Sequence, residues 1–244
     1  MATDFNNLHL SIIVPLYNEE RHITTMLDRL LAVKIPDCIQ STEIVMVDDC
    51  SSDSSNQVVS AYIQAHPHIR LFKHDVNQGK GAAVRTGMKH ATGNIYLIQD
   101  ADLELNPEDI PSMLLAMYKL KVEFVNGSRY LPGVLRPISS YKRYLGNRFF
   151  TFLTSILIDV KLTDMACGYK LVHKKLIDKI TLKENRFGFE AELLLKALRI
   201  KKNNIVEVPV QYFPRNEGEG KKLRNSDAFR ILGTVIKYGL LRRN

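Results

Sequence analysis

Short apolar runs, many of them β-branched, recur along the first half of the chain, and helical spacing of apolar positions follows most of them. "LSIIVP" predicts a strand and leads into a helix over 20–33, "ERHITTMLDRLLAV". "EIVMV" precedes a helix beginning near Asp53, "IRLF" precedes one from about Lys80 to Ala91, and "NIYLIQ" precedes one opened by Pro107. At that first helical position the missing N–H of proline costs nothing, and Glu108 and Asp109 lie favourably in the first turn. "EFVNGSRY" is a further strand. Strands this apolar, separated by helices, predict an α/β fold with a single, mostly parallel central sheet covered on both faces. Ligands of such sheets bind beyond the carboxyl ends of the strands.

From residue 140 the pattern changes to an aromatic-rich helix over 140–158, helices near 174–181 and 189–200, and a strand in "IVEVPVQYF". The basic loop "PRNEGEGKKLRNSD" follows. A terminal helix is capped at Asn225 or Ser226, with Phe229, Leu232, Val235, Ile236 and Leu240 on one broad face. With 244 residues, 45% of them hydrophobic, the chain is long enough to bury a full core as one domain over 1–244.

Charge divides unevenly along that length. The net of +8 is the sum of about −6 over residues 1–128 and about +14 over 129–244, so one half is suited to a cation and the other to anions. Nucleic acid is not the expected anion, because no zinc finger, RNP aromatic pair or recognition-helix signature accompanies the charge. Cys38, Cys50 and Cys167 are far apart and odd in number, which fits a reducing compartment and no structural zinc. No secretory leader is expected at the start, and "FFTFLTSILI" is too short to span a bilayer. Neither a G-x-S-x-G elbow nor a cysteine close in sequence to a histidine supports a nucleophilic triad.

The chemistry concentrates where apolar strands end in acids. If extended geometry persists past Gln99, Asp100, Asp102 and Glu104 point to one side and repel unless a cation intervenes. Such hard oxygen ligands suit Mg²⁺ or Mn²⁺, which bind phosphates as well; a charged turn before the Pro107 helix is the plainer alternative. Asp48 and Asp49 close another strand, where an exposed carboxylate could accept from a base or ribose, while Asp53 is better explained as a helix cap. "NQGKGAAVRTG" is neither a dinucleotide fingerprint nor a P-loop. Its small residues, with Lys80 and Arg85, either bring a helix close to a sugar-nucleotide diphosphate or make a simple turn.

In order, "SIIVPLYNEE", "EIVMVDDCSSD", "NQGKGAAVRTGMKHATG", "IYLIQDADLELNPED", "NGSRY", "LTDMACGYKL", "NRFGFEAELLLKA" and "VEVPVQYFPRNEGEGKK" resemble the inverting family 2 glycosyltransferases of GT-A fold over about residues 9–240. More narrowly they are similar to the branch that moves a sugar from a nucleotide onto a polyprenyl or dolichyl phosphate. The resemblance implies that Pro15, Tyr17, Glu19 and Asp48, with Lys80 and Asp100, bind the donor, and that Asp100, Asp102 and Glu104 hold the metal and diphosphate. It implies phosphate-binding roles for Arg129, Arg215 and Lys222, with Arg143 near the lipid phosphate, and it places Asp164, Gly168, Glu190 and Glu192 in blocks lining the transfer site. Asp102, Arg129, Asp164 and Arg215 are thus the expected catalytic set. Cys50 departs from the family, which usually has glycine there.

On this resemblance residues 1–128 form mainly a nucleotide-binding half, 129–225 mainly an acceptor-binding half, and 226–244 an amphipathic helix. The expected reaction carries a hexose, UDP-glucose or another UDP-sugar being the favoured donor, to a polyprenyl phosphate, giving a β-linked product. GDP-mannose as donor, a saccharide hydroxyl as acceptor, and a catalytically silent nucleotide or anionic-lipid binding module are the alternatives. "YKRYLGNRFFTFLTSILI", with Lys142, Arg143 and Arg148, and the terminal "YGLLRRN" are the segments expected to rest on the cytoplasmic face of a membrane. A membrane-protein partner, a second copy of the chain, or packing against the sheet would cover the same apolar stripes.

Overall fold

The computed structural model describes residues 3–133, 140–186, 188–202, 204–215 and 225–241. Its centre is a seven-stranded sheet in the order β3-β2-β1-β4-β6-β5-β7. The strands are β1 (Leu8–Leu16), β2 (Ile39–Asp48), β3 (Ile69–Lys73), β4 (Ile95–Ile98), β5 (Phe124–Ser128), β6 (Lys170–His173) and β7 (Val206–Pro209). All neighbours pair in parallel except β6, which runs antiparallel to both β4 and β5. The pattern "KLTDMACGYKLV" did not reveal β6, because its apolar pair Leu171–Val172 is bracketed by Lys170 and His173, polar residues that are nevertheless buried in the sheet.

Period-2 alternation splits the core into two layers. Leu8, Leu10, Ile12, Val14 and Leu16 of β1, with Ile95 and Leu97 of β4, face one layer. Helices α1 (Ile23–Leu31), α2 (Ser55–Tyr62) and α4 (Ile110–Leu120) supply Met26, Leu27, Val59, Met113 and Met117 to it. Ile13, Tyr96 and Ile98 face the other layer, against α3 (Lys80–His90), α6 (Lys174–Ile177), α7 (Phe189–Lys201) and α8 (Asn225–Val235). There α7 is buried from Phe189 to Leu198, the most enclosed helix of the fold.

Two helices differ from the sequence expectation in instructive ways. The entry to α4 is a 3₁₀ turn over Pro107–Asp109, in which the Asn106 side chain accepts from Glu108 N at 3.2 Å and the Asn106 backbone carbonyl accepts from Asp109 N at 3.1 Å. After α8 the chain widens into a π-helical turn over Ile236–Leu240, marked by the Leu241 N–H donating to the Ile236 carbonyl at 3.0 Å. The extra residue in that turn rotates the following side chains. Val235, Tyr238 and Gly239 are buried while Ile236 and Leu240 face outward, so the single broad face expected for this segment does not form. The side chain of Phe229 lies outside the described residues.

The remaining helix, α5 (Tyr141–Ile158), packs one face, through Phe150, Leu153, Leu157 and Ile158, against the second core layer and leaves the other outside. Thr151 and Thr154 face inward, whereas Tyr141, Leu145, Phe149, Phe152 and Ile156 are each 49–69% exposed along one helical stripe. Because only β6 is reversed, the carboxyl ends of the six other strands and the amino end of β6 open onto one rim of the sheet.

Candidate active site

That rim gathers the segments 17–19, 48–53, 99–105, 129, 164–168 and 210–215. Backbone strain accompanies the gathering: Asn18, Cys50 and Leu103, which follow β1, β2 and β4, have φ of 48°, 61° and 60°. Non-glycine residues adopt this left-handed region only when the surroundings hold them there. Cys50 therefore occupies a conformation that favours glycine.

The acidic turn after β4 is organised differently from an extended strand. The strand ends at Ile98 and the left-handed Leu103 redirects the chain, so alternation does not bring Asp100, Asp102 and Glu104 to a common point. Asp100 Oδ1 pairs with Lys80 Nζ at 2.6 Å. Asp102 keeps 30% of its side chain exposed and accepts from Glu104 N at 3.1 Å. Glu104 turns toward the segment after β7, accepting from Tyr212 Oη at 2.8 Å and from Arg215 N at 2.9 Å. Among the described residues no group of three or more His, Cys, Asp or Glu side chains is arranged to hold a metal. Asp102 nevertheless carries the electrostatic stress of the turn: partial burial, then the charges of Asp100 and Glu104, push its pKa up to about 7 against the pull of Arg215. A hard divalent cation would relieve a carboxylate so placed, and Asp102 and Asp100 are hard oxygen donors of the kind such an ion takes.

Close packing fixes this turn from behind. Gly168, ahead of β6, lies so near Asp100 that a Cβ would overlap Asp100 Oδ2 and come within 3.1 Å of Leu105 Cδ1. Lys80, the first residue of α3, reaches Asp100 on one side and Glu190 Oε1 on the other, also at 2.6 Å. Burial alone would lower the Lys80 pKa, but the two carboxylates outweigh it and raise it well above that of an ordinary lysine. The glycines around it serve chain packing: a Cβ at Gly79 would meet the Asn185 carbonyl at 2.5 Å, and one at Gly81 would overlap the Glu184 carbonyl. Arg85 donates to the Glu184 carbonyl at 2.7 Å. Of the "GKGAAVR" stretch, Lys80 alone is directed at the acidic turn by these contacts.

On the basic side of the rim, Arg215 binds Glu19 Oε2 at 2.8 Å and donates through Nε to the Asp102 carbonyl at 2.8 Å. A Leu105–Tyr212 bridge fastens this segment to the acidic turn. Arg129 grips the buried Asp164 with Nε and Nη2 at 2.7 and 2.9 Å, adds its backbone N–H at 3.1 Å, and lies 4.9 Å from the Tyr212 ring centre. Burial would raise the Asp164 pKa, yet Arg129 and Asn147 hold it below the ordinary aspartate value. Asn147 of α5 donates to Asp164 Oδ1 at 3.0 Å. The roles of Tyr212 and Asn147 had no motif to announce them.

The nucleotide side is partly committed to the fold. Pro15 pairs with Val47 in the sheet, and Pro15 and Tyr17 are half-buried at the mouth of β1. Asp48 and Asp49 are buried, contrary to the exposed carboxylate expected there. Asp48 accepts from Ser51 N at 2.9 Å and Asn56 Nδ2 at 3.0 Å, while Asp49 accepts from Gly79 N at 2.7 Å and meets His74 Nδ1 at 2.7 Å. Asp53 accepts from Ser55 N at 2.9 Å at the start of α2, as a helix-entry acid does. Glu192 is also internal, taking the Lys183 and Glu184 N–H groups at 2.9 and 2.7 Å and the Lys196 ammonium at 2.9 Å. Arg143 is exposed in the first turn of α5, and Lys222 lies outside the described residues.

A mostly parallel sheet with acids, strained turns and buried arginine pairs on one rim is a candidate active site, and the comparisons give the class. Residues 11–181 match the family model described as Glycosyl transferase family 2, and the chain belongs to that glycosyltransferase family. Among its relatives is a dolichyl-phosphate beta-glucosyltransferase of Dictyostelium discoideum, 33% identical over 233 residues that cover 89% of this chain and 69% of that protein. Another of that name, from Trichomonas vaginalis, is 30% identical over 251 residues, covering 97% and 75%. A dolichol-phosphate mannosyltransferase of Saccharomyces cerevisiae is 29% identical over 222 residues, covering 88% and 81%. In fold the chain is similar to glucosyl-3-phosphoglycerate synthase from Mycobacterium tuberculosis in complex with Mn²⁺, uridine diphosphate and phosphoglyceric acid. That match has a TM-score of 0.71 at 18% identity and covers 94% of this chain and 78% of the other. The fold is the GT-A fold.

Proposed function

We propose that this protein transfers a hexose, with inversion, from a nucleotide sugar to a polyprenyl or dolichyl phosphate, and that UDP-glucose is the donor. Relatives that cover 89% and 97% of this chain are, by name, dolichyl-phosphate beta-glucosyltransferases. The observation that carries the reading is the state of Asp164 and Glu192, two carboxylates expected to line the transfer site. Asp164 is held by a bidentate arginine, and Glu192 by two amides and a lysine, so neither stands ready to deprotonate a sugar hydroxyl. A lipid phosphate needs no such base, because its oxygen is already anionic at neutral pH.

In this reading residues 1–128 hold the donor, residues 129–225 receive the acceptor, and the helix of 226–244 supports the acceptor side. Asp102, with Asp100, would hold Mg²⁺ or Mn²⁺, which when bound neutralises charge on the leaving diphosphate. Lys80 and Arg215 flank the same turn and add fixed positive charge. Pro15, Tyr17, Glu19 and Asp48 frame the base and ribose, Glu19 and Asp48 by shaping the rim. Arg129, with Arg143 and Lys222, orients the acceptor phosphate. One of its oxygens forms the new bond to C1 as the C1–O bond to the diphosphate breaks, and that bond's electron pair leaves with the nucleoside diphosphate. Attack opposite the leaving group turns an α-linked donor into a β-linked lipid phosphate sugar. Alignment and preorganised charge carry the catalysis.

A polyprenyl phosphate resides in a bilayer, and among the described residues no helix is long and apolar enough to cross one. The exposed stripe of α5, flanked by Lys142, Arg143 and Arg148, supports a reading in which the protein rests on the cytoplasmic surface of a membrane. The testing experiment incubates the protein with UDP-glucose, other UDP-sugars or GDP-mannose, polyprenyl phosphate, and Mg²⁺ or Mn²⁺, and weighs the lipid product. A β-glucosyl lipid phosphate is expected from UDP-glucose. A mannosyl lipid would transfer the reading to the activity named for the yeast relative, and transfer to saccharides alone would overturn it.

A further inference from the structure

Behind the Arg129–Asp164 pair runs a chain of polar groups in which Lys170 and Asn126 are buried and Glu207 is half-buried. Lys170, at the start of β6, is wholly enclosed, and its ammonium donates to Asn126 Oδ1 at 2.7 Å and to the Cys167 carbonyl at 2.7 Å. Both acceptors are neutral. An ammonium in that position is costly, and burial holds its pKa below that of an ordinary lysine. Asn126 of β5 passes the contact on: its Nδ2 donates to the Asp164 carbonyl at 2.7 Å and to Glu207 Oε1 at 3.0 Å. Glu207 of β7 takes the Thr163 N–H and hydroxyl, each at 2.8 Å, and the Asp164 N–H at 3.3 Å. The turn that presents Asp164 is thereby held at its amide by one strand and at its carbonyl by another.

We propose that Lys170, Asn126 and Glu207 are positioning residues for Arg129, a relay across three adjacent strands that sets the stance of Asp164. The proposal rests on the phosphate-binding role given to Arg129 in the preceding section. Because Asp164 meets Arg129 through both Nε and Nη2, the position of the carboxylate dictates the plane of the guanidinium. Apolar residues of similar volume at 126 and 170 would fill the interior at less electrostatic cost, but they would leave the turn without directional bonds. A polar chain in which each group is met by another constrains direction as well as volume.

The variants to compare are Lys170→Met, Glu207→Gln and Lys170→Arg, each followed by thermal melting, by kinetics with polyprenyl phosphate, and by ¹⁵N NMR of the Arg129 Nε–H, assigned with Arg129→Lys. Lys170→Met strands Asn126 Oδ1 but removes a buried ammonium, so its melting temperature is expected within about 4 °C of the parent. Its kcat is expected to fall roughly 10- to 100-fold, the order associated with small misplacements of a reacting group, with donor KM little changed. The Arg129 Nε–H signal should shift or broaden, and Lys170→Arg should recover part of the rate. Wild-type kcat in Lys170→Met with an unmoved Arg129 signal overturns the proposal, as does a rate that falls only in step with the folded fraction. Should Lys170→Met not fold, Glu207→Gln interrogates the same turn from β7 by the same criteria. The NMR comparison needs no substrate, so if the parent protein transfers no sugar to polyprenyl phosphate the functional reading fails, while the signal alone still decides the relay.

Discussion

Lys80 Nζ lies 2.6 Å from Asp100 Oδ1, closing an ion pair between the first residue of α3 and the acidic turn after β4. The chain thus supplies its own cation to one of the two carboxylates proposed to hold a divalent ion. Replacing Lys80 with methionine removes that competitor. Mn²⁺ binding to the substrate-free protein, followed by calorimetry or electron paramagnetic resonance, is expected to tighten by about tenfold, or ~1.4 kcal/mol. Donor use should weaken at the same time. An unchanged Mn²⁺ titration would show that Lys80 does not compete at this site.

Asp102→Ala tests the other carboxylate. It removes a charge repelled by Asp100 and Glu104, so the fold should persist with little change in melting temperature. Turnover is expected to fall by roughly 10²–10³, the scale of losing one charge-stabilising contact at a leaving group. Near-parental kcat at saturating metal would refute its role.

Gly168→Ala places a methyl group against Asp100 Oδ2 and Leu105 of the strained acidic turn. Overpacking of this kind costs about 1–3 kcal/mol. Chemical denaturation should register that loss, and activity should drop further because Asp100 must leave its place beside Lys80. Parental stability and rate together would mean that the turn yields freely.

Asp164→Asn probes the buried pair through pH. The folded pKa of Asp164 is depressed, so its contribution is fully present above the ordinary aspartate value of 3.8 and is lost as pH falls through the lower folded value. The variant leaves Arg129 without its carboxylate, which for a buried pair costs about 3–5 kcal/mol. Urea unfolding from pH 3 to pH 7 should show a steady deficit at neutral pH that narrows only at the acid end. A deficit that vanishes between pH 5 and pH 7 would contradict the assignment.

Phe149→Ser combined with Phe152→Ser tests the outward stripe of α5. Both rings are more than half exposed, so each change should alter stability by no more than about 0.5 kcal/mol. Flotation with vesicles containing anionic lipid is expected to fall severalfold, and high salt should weaken binding of the parent through its basic flank. Equal flotation of parent and variant would move the membrane contact elsewhere or to a partner protein.

Much of the layout was legible along the chain. β-Branched runs and helical spacing located β1 to β5 and α1 to α4, because uninterrupted apolar runs mark the strands and 3.6-residue spacing marks the helices. β6 escaped because its two apolar residues, Leu171 and Val172, are bracketed by Lys170 and His173, polar side chains that are buried only in the folded chain, and the π-helical turn escaped because its wider pitch breaks the 3.6-residue rule. At the rim, the acids of "DAD" and the arginine of "GSRY" were evident, yet their partners were not: Lys80 for Asp100, Tyr212 for Glu104, Asn147 and Arg129 for Asp164. Those contacts join residues tens of positions apart, and no local pattern encodes them.

By itself the order of residues determined the alternating α/β layout, the acidic first half and basic second half, and the strand-end acids, because periodicity, charge and capping act over a few neighbouring residues. Only the tertiary structure decided which carboxylates turn inward and which stay at the surface. Asp48, Asp49 and Glu192 are consumed by backbone amides and neighbouring side chains, Glu104 is drawn to Tyr212 and Arg215, and Asp102 remains part-exposed in a crowded turn. The reason is that a carboxylate's chemistry depends on its distance to charges and donors and on its access to water. Those quantities exist only once distant strands have been brought to one rim.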